Sequence, residues 1–364
     1  MQWKIASASE IVSALDFDKF IAYDSEFVRG HFYSAKLALV QLRQAGAEVL
    51  LCDPETSPLQ EFWRHLLLIS APLVVHSGEQ DLELIFRLAG DLPQRIADCQ
   101  IAFAFLSLTR KISYADLCKK ILSVEIDKTQ CRSDWLSRPL SSEQLQYAAV
   151  DVFYLAEIFP ILLDKLRALG RLHYFYEENE NLRQTVMSRI DKKEHWFNLQ
   201  NAVQMPYKFR AMAEALLQLR DIAAKKSDIH RSKLLSDGQI WQLARSYPDD
   251  IFSALALLDE KNPILNELVL AEEIFTSARE NLPNRPRNTA LNRKQKARLA
   301  RLEEFISRRS LELQIAQLLL ANKNDKRQFV LAEDEQARSK CRLLQGWRAE
   351  IFAEFDFYSR FNSK

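Results

Sequence analysis

Two carboxylates stand one residue apart, directly behind an apolar run near the N-terminus. Asp24 and Glu26 follow the residues FIAY at positions 20–23. Side chains two residues apart in a β-strand project from the same face, so these two acids would point together. Burial of such charges is costly unless something compensates them, and bound cations would do so. Taken alone, such a pair is usually a strand end that reaches solvent.

A third acid follows another predicted strand. The residues APLVVH at 71–76 predict a buried strand, and Ser77 and Gln80 have the spacing of a capping box, so we expect a helix to begin at Ser77. Asp81 would then lie in the early turns of that helix. Strand ends beside helix starts are common places for sites in α/β folds. The structural alternative is that Asp81 only interacts with the helix dipole.

A tyrosine and a fourth acid complete the set. Tyr147 and Asp151 lie four residues apart in the helical stretch 141–169, which we expect Ser142 to cap and Pro160 to kink or break. Helical residues with this spacing share one face, with β-carbons about 5–6 Å apart. Each feature alone is ordinary for a protein surface. Together, in this order, they predict a site for two hard cations, such as Mg²⁺ or Mn²⁺, which prefer oxygen ligands.

The elements that would position these residues form a mixed α/β pattern. Three consecutive strands are predicted at 20–27, 35–43 and 47–53, with a hairpin turn at 44–46. A helix over 58–70 and the strand at 71–76 should follow. Residues 82–170 and most of the chain after them read as helical. This order predicts a mixed sheet flanked by helices, followed by all-helical segments.

The composition limits the class of protein. A chain of 364 residues with 48% apolar residues predicts two or three folded domains. No apolar run approaches the roughly 20 residues that span a bilayer, so we expect no membrane segment, and the N-terminus lacks the apolar core of a signal peptide. Five cysteines without a CxxC spacing, and six scattered histidines, disfavour disulfides and zinc and predict a cytoplasmic protein.

Charge is distributed unevenly along the chain. Residues 1–200 carry a net charge of −5 and residues 201–364 a net charge of +6. This split fits a metal-using catalytic part joined to a part that binds polyanions, although drift also produces such splits. The stretch 285–309 holds nine Lys and Arg residues against two Glu residues. The simpler interpretation of this stretch is a solvated helix face. The alternative is contact with nucleic-acid phosphates, which we expect from Arg293, Lys294 and Lys296.

The acids and the tyrosine lie in segments that resemble the ribonuclease D family of DEDD 3′–5′ exonucleases, in the branch with tyrosine in the third motif. The matching motifs are YDSEFVRGHFYSAKLALVQL (23–42), VVHSGEQDLELI (74–85) and RPLSSEQLQYAAVDVFYL (138–155). The stretches DCQIAFAFL (98–106) and DKTQCRSDW (127–135) are also similar to the family. The resemblance implies that the chain begins with an α/β ribonuclease H-like exonuclease domain.

Helical modules are implied for the rest of the chain. Residues 215–248 resemble an HRDC domain, the helical module shared by RecQ-type helicases and ribonuclease D. The resemblance therefore implies an exonuclease domain with a linker helix at 1–200, a first HRDC domain at 201–285 and a second HRDC-like helical domain at 286–364. One departure from the family is Ser25, where threonine is commoner. Ser25 should point off the acidic face, so we expect little to depend on it.

The resemblance also implies an activity and a role for each residue. It implies a 3′–5′ exoribonuclease that releases nucleoside 5′-monophosphates with two divalent metal ions per site. Asp24 would bridge both metals, Glu26 and Asp151 would complete one metal site, and Asp81 would hold the other. Tyr147 would orient the attacking water, because an unperturbed tyrosine pKa near 10 suits a positioning group better than a base.

Substrate contacts and partners are implied less directly. The residues that would line the path of the RNA 3′ end are Gln130, Arg132, Trp135 and Arg138, with a core role equally open for Trp135. The expected substrate is an RNA with a single-stranded 3′ end, first of all a tRNA precursor, and the expected state is a monomer. Two alternatives stay open: a DNA-directed exonuclease of the same superfamily, and a catalytically inactive nucleic-acid-binding protein with HRDC domains.

Overall fold

The chain divides into two compact units. The computed structural model describes residues 1–127, 129–131, 133–190, 192–285, 290–332 and 334–355. The first unit contains the described residues of 1–26, 37–190 and 289–364, and the second contains those of 27–36 and 191–288. The described C-terminal residues therefore group with the first unit. Domain boundaries near 200 and 285 stay a prediction.

A six-stranded mixed sheet forms the centre of the first unit, in the order β1–β4–β3–β2–β5–β6. Its strands are β1 (Trp3–Ile5), β2 (Ile21–Val28), β3 (Lys36–Arg43), β4 (Val49–Cys52), β5 (Leu73–Val75) and β6 (Ile96–Asp98). β1 with β4, β2 with β5 and β5 with β6 are parallel, whereas β3 and β4 are antiparallel. The predicted mixed sheet is confirmed; β1 was not predicted, because three residues are too few to show an alternating pattern.

Helices cover the sheet. Residues 37–43 of β3 are all buried, as expected of a strand with structure packed against both of its faces. The helices of this part are α1 (Ala8–Ala14), α2 (Gln60–Leu67), α3 (Glu79–Ala89), α4 (Cys99–Ala104), α5 (Tyr114–Leu122), α6 (Ser142–Ala168) and α7 (Leu172–Ile190). α6 packs against β4 and β5, which places it over the centre of the sheet.

The long helix α6 differs from its predicted form at two positions. Ser141, one residue before the predicted cap, accepts from the backbone N–H of Gln144 and forms a capping box with it. The helix also continues through Pro160 instead of ending or breaking there. Among the described residues α6 alone is long and apolar enough to cross a bilayer, and half of its apolar window is buried inside the fold. Its apolarity is that of a core helix.

The start of α3 also differs from the prediction. The helix begins at Glu79, and no side chain caps it, so the capping box of Ser77 and Gln80 is not formed. The carboxylate of Asp98 at the end of β6 takes that role instead. It accepts from the backbone N–H groups of Ser77 and Gly78, each at 3.0 Å. A partner 20 residues away in sequence thus replaces the local cap.

The second unit is helical. Its helices are α8 (Tyr207–Ser227), α9 (Arg231–Leu234), α10 (Asp237–Ser246), α11 (Ile251–Leu255) and α12 (Leu268–Glu280), and they enclose one apolar core. Residues 27–36, which lie within the first motif, belong to this unit. Tyr33 packs on its core, and the Tyr33 hydroxyl donates to Asp221 at 3.2 Å.

The described C-terminal residues add further helices to the first unit. They are α13 (Arg293–Leu313), α14 (Gln317–Leu320), α15 (Lys323–Leu331), α16 (Glu335–Ser339) and α17 (Gly346–Phe352). A charge cluster around Glu178 of α7 binds α17 and the turn just before it. Glu178 accepts from Arg348 at 2.5 Å, from Arg342 at 2.8 Å and from the indole N–H of Trp347 at 3.1 Å. The predicted fold class, an α/β exonuclease part followed by helical modules, is confirmed.

Candidate active site

Three of the four predicted acids converge on one point of the first unit. Asp24 and Glu26 lie on β2, and Asp151 lies on α6. One carboxylate oxygen from each of these three residues lies within 4.8 Å of the other two. The two-residue spacing in the strand and the position of α6 over the sheet together produce this group, which we call the acid cluster.

The acid cluster is electrostatically unfavourable without a cation. Burial, and next the negative charges of the neighbouring acids, raise the pKa of Asp24 well above its usual value. Burial and the charges of Asp151 and Asp81 raise the pKa of Glu26 to about 9. Burial, followed by the charge of Asp81, raises the pKa of Asp151 to about 7. Such carboxyl groups hold protons near neutral pH unless a cation replaces them, and their oxygen donors fit a hard divalent cation.

Asp81 lies beside the acid cluster and is hydrogen-bonded to Ser25. The Ser25 hydroxyl donates to Oδ1 of Asp81 at 2.5 Å. Both side chains are buried, and burial raises the pKa of Asp81 to about 6 even though this hydrogen bond acts in the opposite direction. The expectation that little depends on Ser25 is therefore wrong. Ser25 points off the Asp24 face of β2, and from there it reaches the first turn of α3.

Tyr147 lies one helical turn before Asp151 on α6. Burial raises the pKa of its phenol above the usual value, and the charges of Asp151 and Glu26 add to this effect. The phenol therefore keeps its proton at neutral pH. It can donate a hydrogen bond or orient a water molecule, but it cannot act as a base there.

The residues predicted to contact RNA have mixed positions. Trp135 is 3% exposed, and its ring centroid lies 6.1 Å from that of Tyr147. The Gln130 side chain accepts from the Ser133 hydroxyl. Arg138 is held by Asp53 and by carbonyl groups. Three basic residues of α13 are exposed, namely Arg293, Lys294 and Lys296. Arg132 lies outside the described residues.

Comparisons with known proteins agree with this arrangement. Residues 4–167 match a family model described as "3'-5' exonuclease". Ribonuclease D of Shewanella sp. strain ANA-3 is 30% identical over 353 residues, which cover 96% of this chain and 91% of that protein. Ribonuclease D of Escherichia coli K12 is 28% identical over 96% of this chain and 94% of that protein. The crystal structure of the Escherichia coli enzyme aligns with a TM-score of 0.80 at 26% identity, over 97% of each chain.

The ribonuclease H-like sheet and its half-buried acid cluster define a 3′–5′ exonuclease. The relatives extend this similarity across both units and not only across the catalytic sheet. The chain belongs to the ribonuclease D family, and it is a 3′–5′ exoribonuclease. The resemblance noted in the sequence is thereby confirmed.

Proposed function

We propose that the protein hydrolyses RNA from the 3′ end with two divalent cations, Mg²⁺ or Mn²⁺, and releases nucleoside 5′-monophosphates one at a time. The observation that carries this proposal is the acid cluster of Asp24, Glu26 and Asp151 with Asp81 beside it. Four carboxylates so close together in a partly buried site are unfavourable unless cations bind there. Asp24 would bridge the two cations, Glu26 and Asp151 would complete one site, and Asp81 would hold the other.

Tyr147 and Ser25 would position the attacking water and one metal ligand. A bound divalent cation lowers the pKa of a water ligand and stabilises negative charge on a leaving oxygen. Tyr147 keeps its phenolic proton and orients the attacking water beside Asp151. Ser25 fixes one oxygen of Asp81, which leaves the other oxygen available as a ligand.

The proposed substrates are tRNA precursors with a single-stranded 3′ end, and the proposed state is a cytoplasmic monomer. Support comes from the family and from the Escherichia coli relative, whose structure is described as that of an exoribonuclease involved in structured RNA processing. All five cysteines are free, which agrees with a reducing compartment.

A substrate comparison tests the proposal. A tRNA-like hairpin with a single-stranded 3′ tail is incubated with the purified protein in Mg²⁺, in Mn²⁺ or in EDTA, next to a DNA strand of the same sequence. We expect nucleoside 5′-monophosphates from the RNA tail in either metal, slower loss of the DNA tail, and no hydrolysis in EDTA. Equal rates on both tails would favour the DNA-directed alternative. RNA binding without hydrolysis in either metal would favour the inactive alternative.

The basic face of α13 supplies a second prediction. Arg293, Lys294 and Lys296 are exposed near the start of this helix. If they contact RNA phosphates, replacing all three with Gln weakens RNA binding at low salt and lowers the slope of log K against log[salt] by about 2 for single strands. Fluorescence anisotropy in EDTA measures both quantities.

A control separates local contact from net charge. Replacing the exposed residues Lys192, Lys193 and Lys340 with Gln removes the same charge elsewhere in the chain. We expect this control to leave the salt slope close to that of the unmodified protein. Equal losses in the two triple variants would show that α13 acts only through net charge.

A further inference from the structure

The Arg138 guanidinium uses every one of its hydrogen-bond donors inside the first unit. Nε and Nη2 donate to the carboxylate of Asp53 at 2.6 and 3.0 Å. Nη2 also donates to the carbonyl of Ala38 at 2.8 Å. Nη1 donates to the carbonyls of Trp135 and Ser137 at 2.7 and 2.9 Å. An arginine has five N–H donors, so none remains for a phosphate in this arrangement.

These bonds attach the loop before α6 to the sheet. Ala38 lies on β3 and Asp53 directly follows β4, so both partners are fixed by the sheet. The paired bonds from Nε and Nη2 to one carboxylate are of the strong, directional kind. At the other end of the loop, the Gln144 amide of α6 donates to the carbonyl of Asp134 at 3.1 Å. The loop is thus held on both sides, with Trp135 between the two attachments.

Trp135, which lies in this loop, packs its ring against that of Tyr147. Its ring is tilted 44° to the Tyr147 ring at a centroid distance of 6.1 Å, within the range of favourable aromatic contact. Its indole N–H is buried and has no partner among the described residues. A buried indole usually has a hydrogen-bond partner, so the packing of this ring outweighs the cost of an unpaired donor. The ring lies where it restricts the Tyr147 phenol.

We propose that Arg138, acting through Trp135, is a positioning residue that holds the Tyr147 phenol in place for the reaction and makes no contact with RNA phosphate. This inference rests on the proposed role of Tyr147 in orienting water. It gives Arg138 and Trp135 a role different from the RNA contacts that the sequence predicts.

Arg138→Lys distinguishes the two roles. Lysine keeps the positive charge, but its ammonium group cannot reach Asp53, Ala38 and the loop carbonyls at once. A phosphate contact would largely survive this change, whereas the attachment of the loop would not. Asp53→Asn makes the complementary change, because its NH₂ group faces the Arg138 donors while Arg138 keeps its charge.

The experiment measures the single-turnover rate at saturating RNA in Mg²⁺, and the RNA dissociation constant in EDTA at several salt concentrations. We expect Arg138→Lys and Asp53→Asn each to lower the rate by about tenfold or more, as small displacements of catalytic groups do. The dissociation constant should change less than twofold, with an unchanged salt slope. Arg64→Lys, on an exposed residue of α2, is the matched control.

A double variant tests whether Arg138 acts through Tyr147. If it does, Arg138→Lys adds no further loss to Tyr147→Phe. Two Trp135 variants cover the possibility that Arg138→Lys does not fold: Trp135→Leu should reproduce the rate loss, and Trp135→Phe, which keeps a ring, should restore most of the rate. Circular dichroism and thermal unfolding identify variants that fail to fold.

Three results would overturn the inference. They are a near-normal rate for Arg138→Lys, a normal rate for Asp53→Asn, and full additivity with Tyr147→Phe. The proposed function has its own failure, which is a normal rate for Tyr147→Phe alone. Different variants therefore test the role of Arg138 and the proposed role of Tyr147.

Discussion

Asp24→Asn is expected to lower the single-turnover rate of RNA hydrolysis by about 1,000-fold or more, equivalent to about 4 kcal/mol of transition-state stabilisation. Asp24 belongs to the acid cluster, and burial, together with the charges of all three other acids, raises its pKa. Asparagine keeps the size of the side chain but removes the charge that would attract a bridging cation.

Two measurements beyond the rate check this prediction. Electron paramagnetic resonance of bound Mn²⁺ should show weaker binding to the purified variant. The free energy of unfolding of the metal-free variant should rise, because one of several mutually repelling, partly buried carboxylates has been removed. Asp164→Asn, an exposed acid on the same helix as Asp151, is the control and should change neither quantity. Unchanged Mn²⁺ binding in Asp24→Asn would contradict the assignment of this residue as a ligand.

The features of the site that could be predicted from the sequence depend on the periodicity of a single strand or helix. Asp24 and Glu26 share a face because strands repeat every two residues, and Tyr147 and Asp151 share one because helices repeat every 3.6 residues. Each of these two periodicities relates residues within a single strand or helix. The convergence of the two elements required the family resemblance, since no local rule places α6 over β2.

The parts that were missed depend on distant partners. Ser25 lies on the opposite face of β2 by the strand repeat, and the sequence does not show that the first turn of α3 lies within its reach. The predicted cap of α3 failed for the same reason, since Asp98 satisfies those N–H groups. Arg138 resembled a phosphate ligand because its partner Asp53 lies 85 residues earlier in the chain. The role of a charged residue, as a ligand-binding or a structural group, can be assigned only when its partner in the fold is known.

Glu178→Gln is expected to destabilise the contact between α7 and the C-terminal helices by about 3 kcal/mol near pH 7. Glu178 is 5% exposed, and burial alone would raise its pKa. The hydrogen bond and charge of Arg348, with the charge of Arg342, outweigh burial and lower the pKa of Glu178 to about 2, from an ordinary value of 4.5. Glutamine removes the charge and leaves the buried guanidinium of Arg348 and the partly exposed one of Arg342 without it.

The pH dependence follows from the sign of this shift. Because the pKa is lower in the folded protein than in the unfolded chain, the ionised form favours folding. The stabilisation is complete above about pH 4.5 and is lost as the pH falls toward about 2. Burial lowers the pKa of Arg348, but an arginine stays protonated over this whole range, so the pH dependence that Glu178→Gln removes is that of Glu178 itself. The difference in stability between the unmodified protein and Glu178→Gln should therefore shrink as the solution is acidified.

Hydrogen exchange of the backbone amides of α17 measures the local stability of this helix. A local measurement is needed because a chain with two units need not unfold in one step. At pH 6 these amides should exchange faster in Glu178→Gln than in the unmodified protein, and near pH 3 the two should approach each other. Glu180→Gln changes an exposed glutamate on the same helix and should leave protection of α17 unchanged at both pH values. A loss of protection of the same size at both pH values would show that packing by Glu178, and not its charge, holds the C-terminal helices on α7.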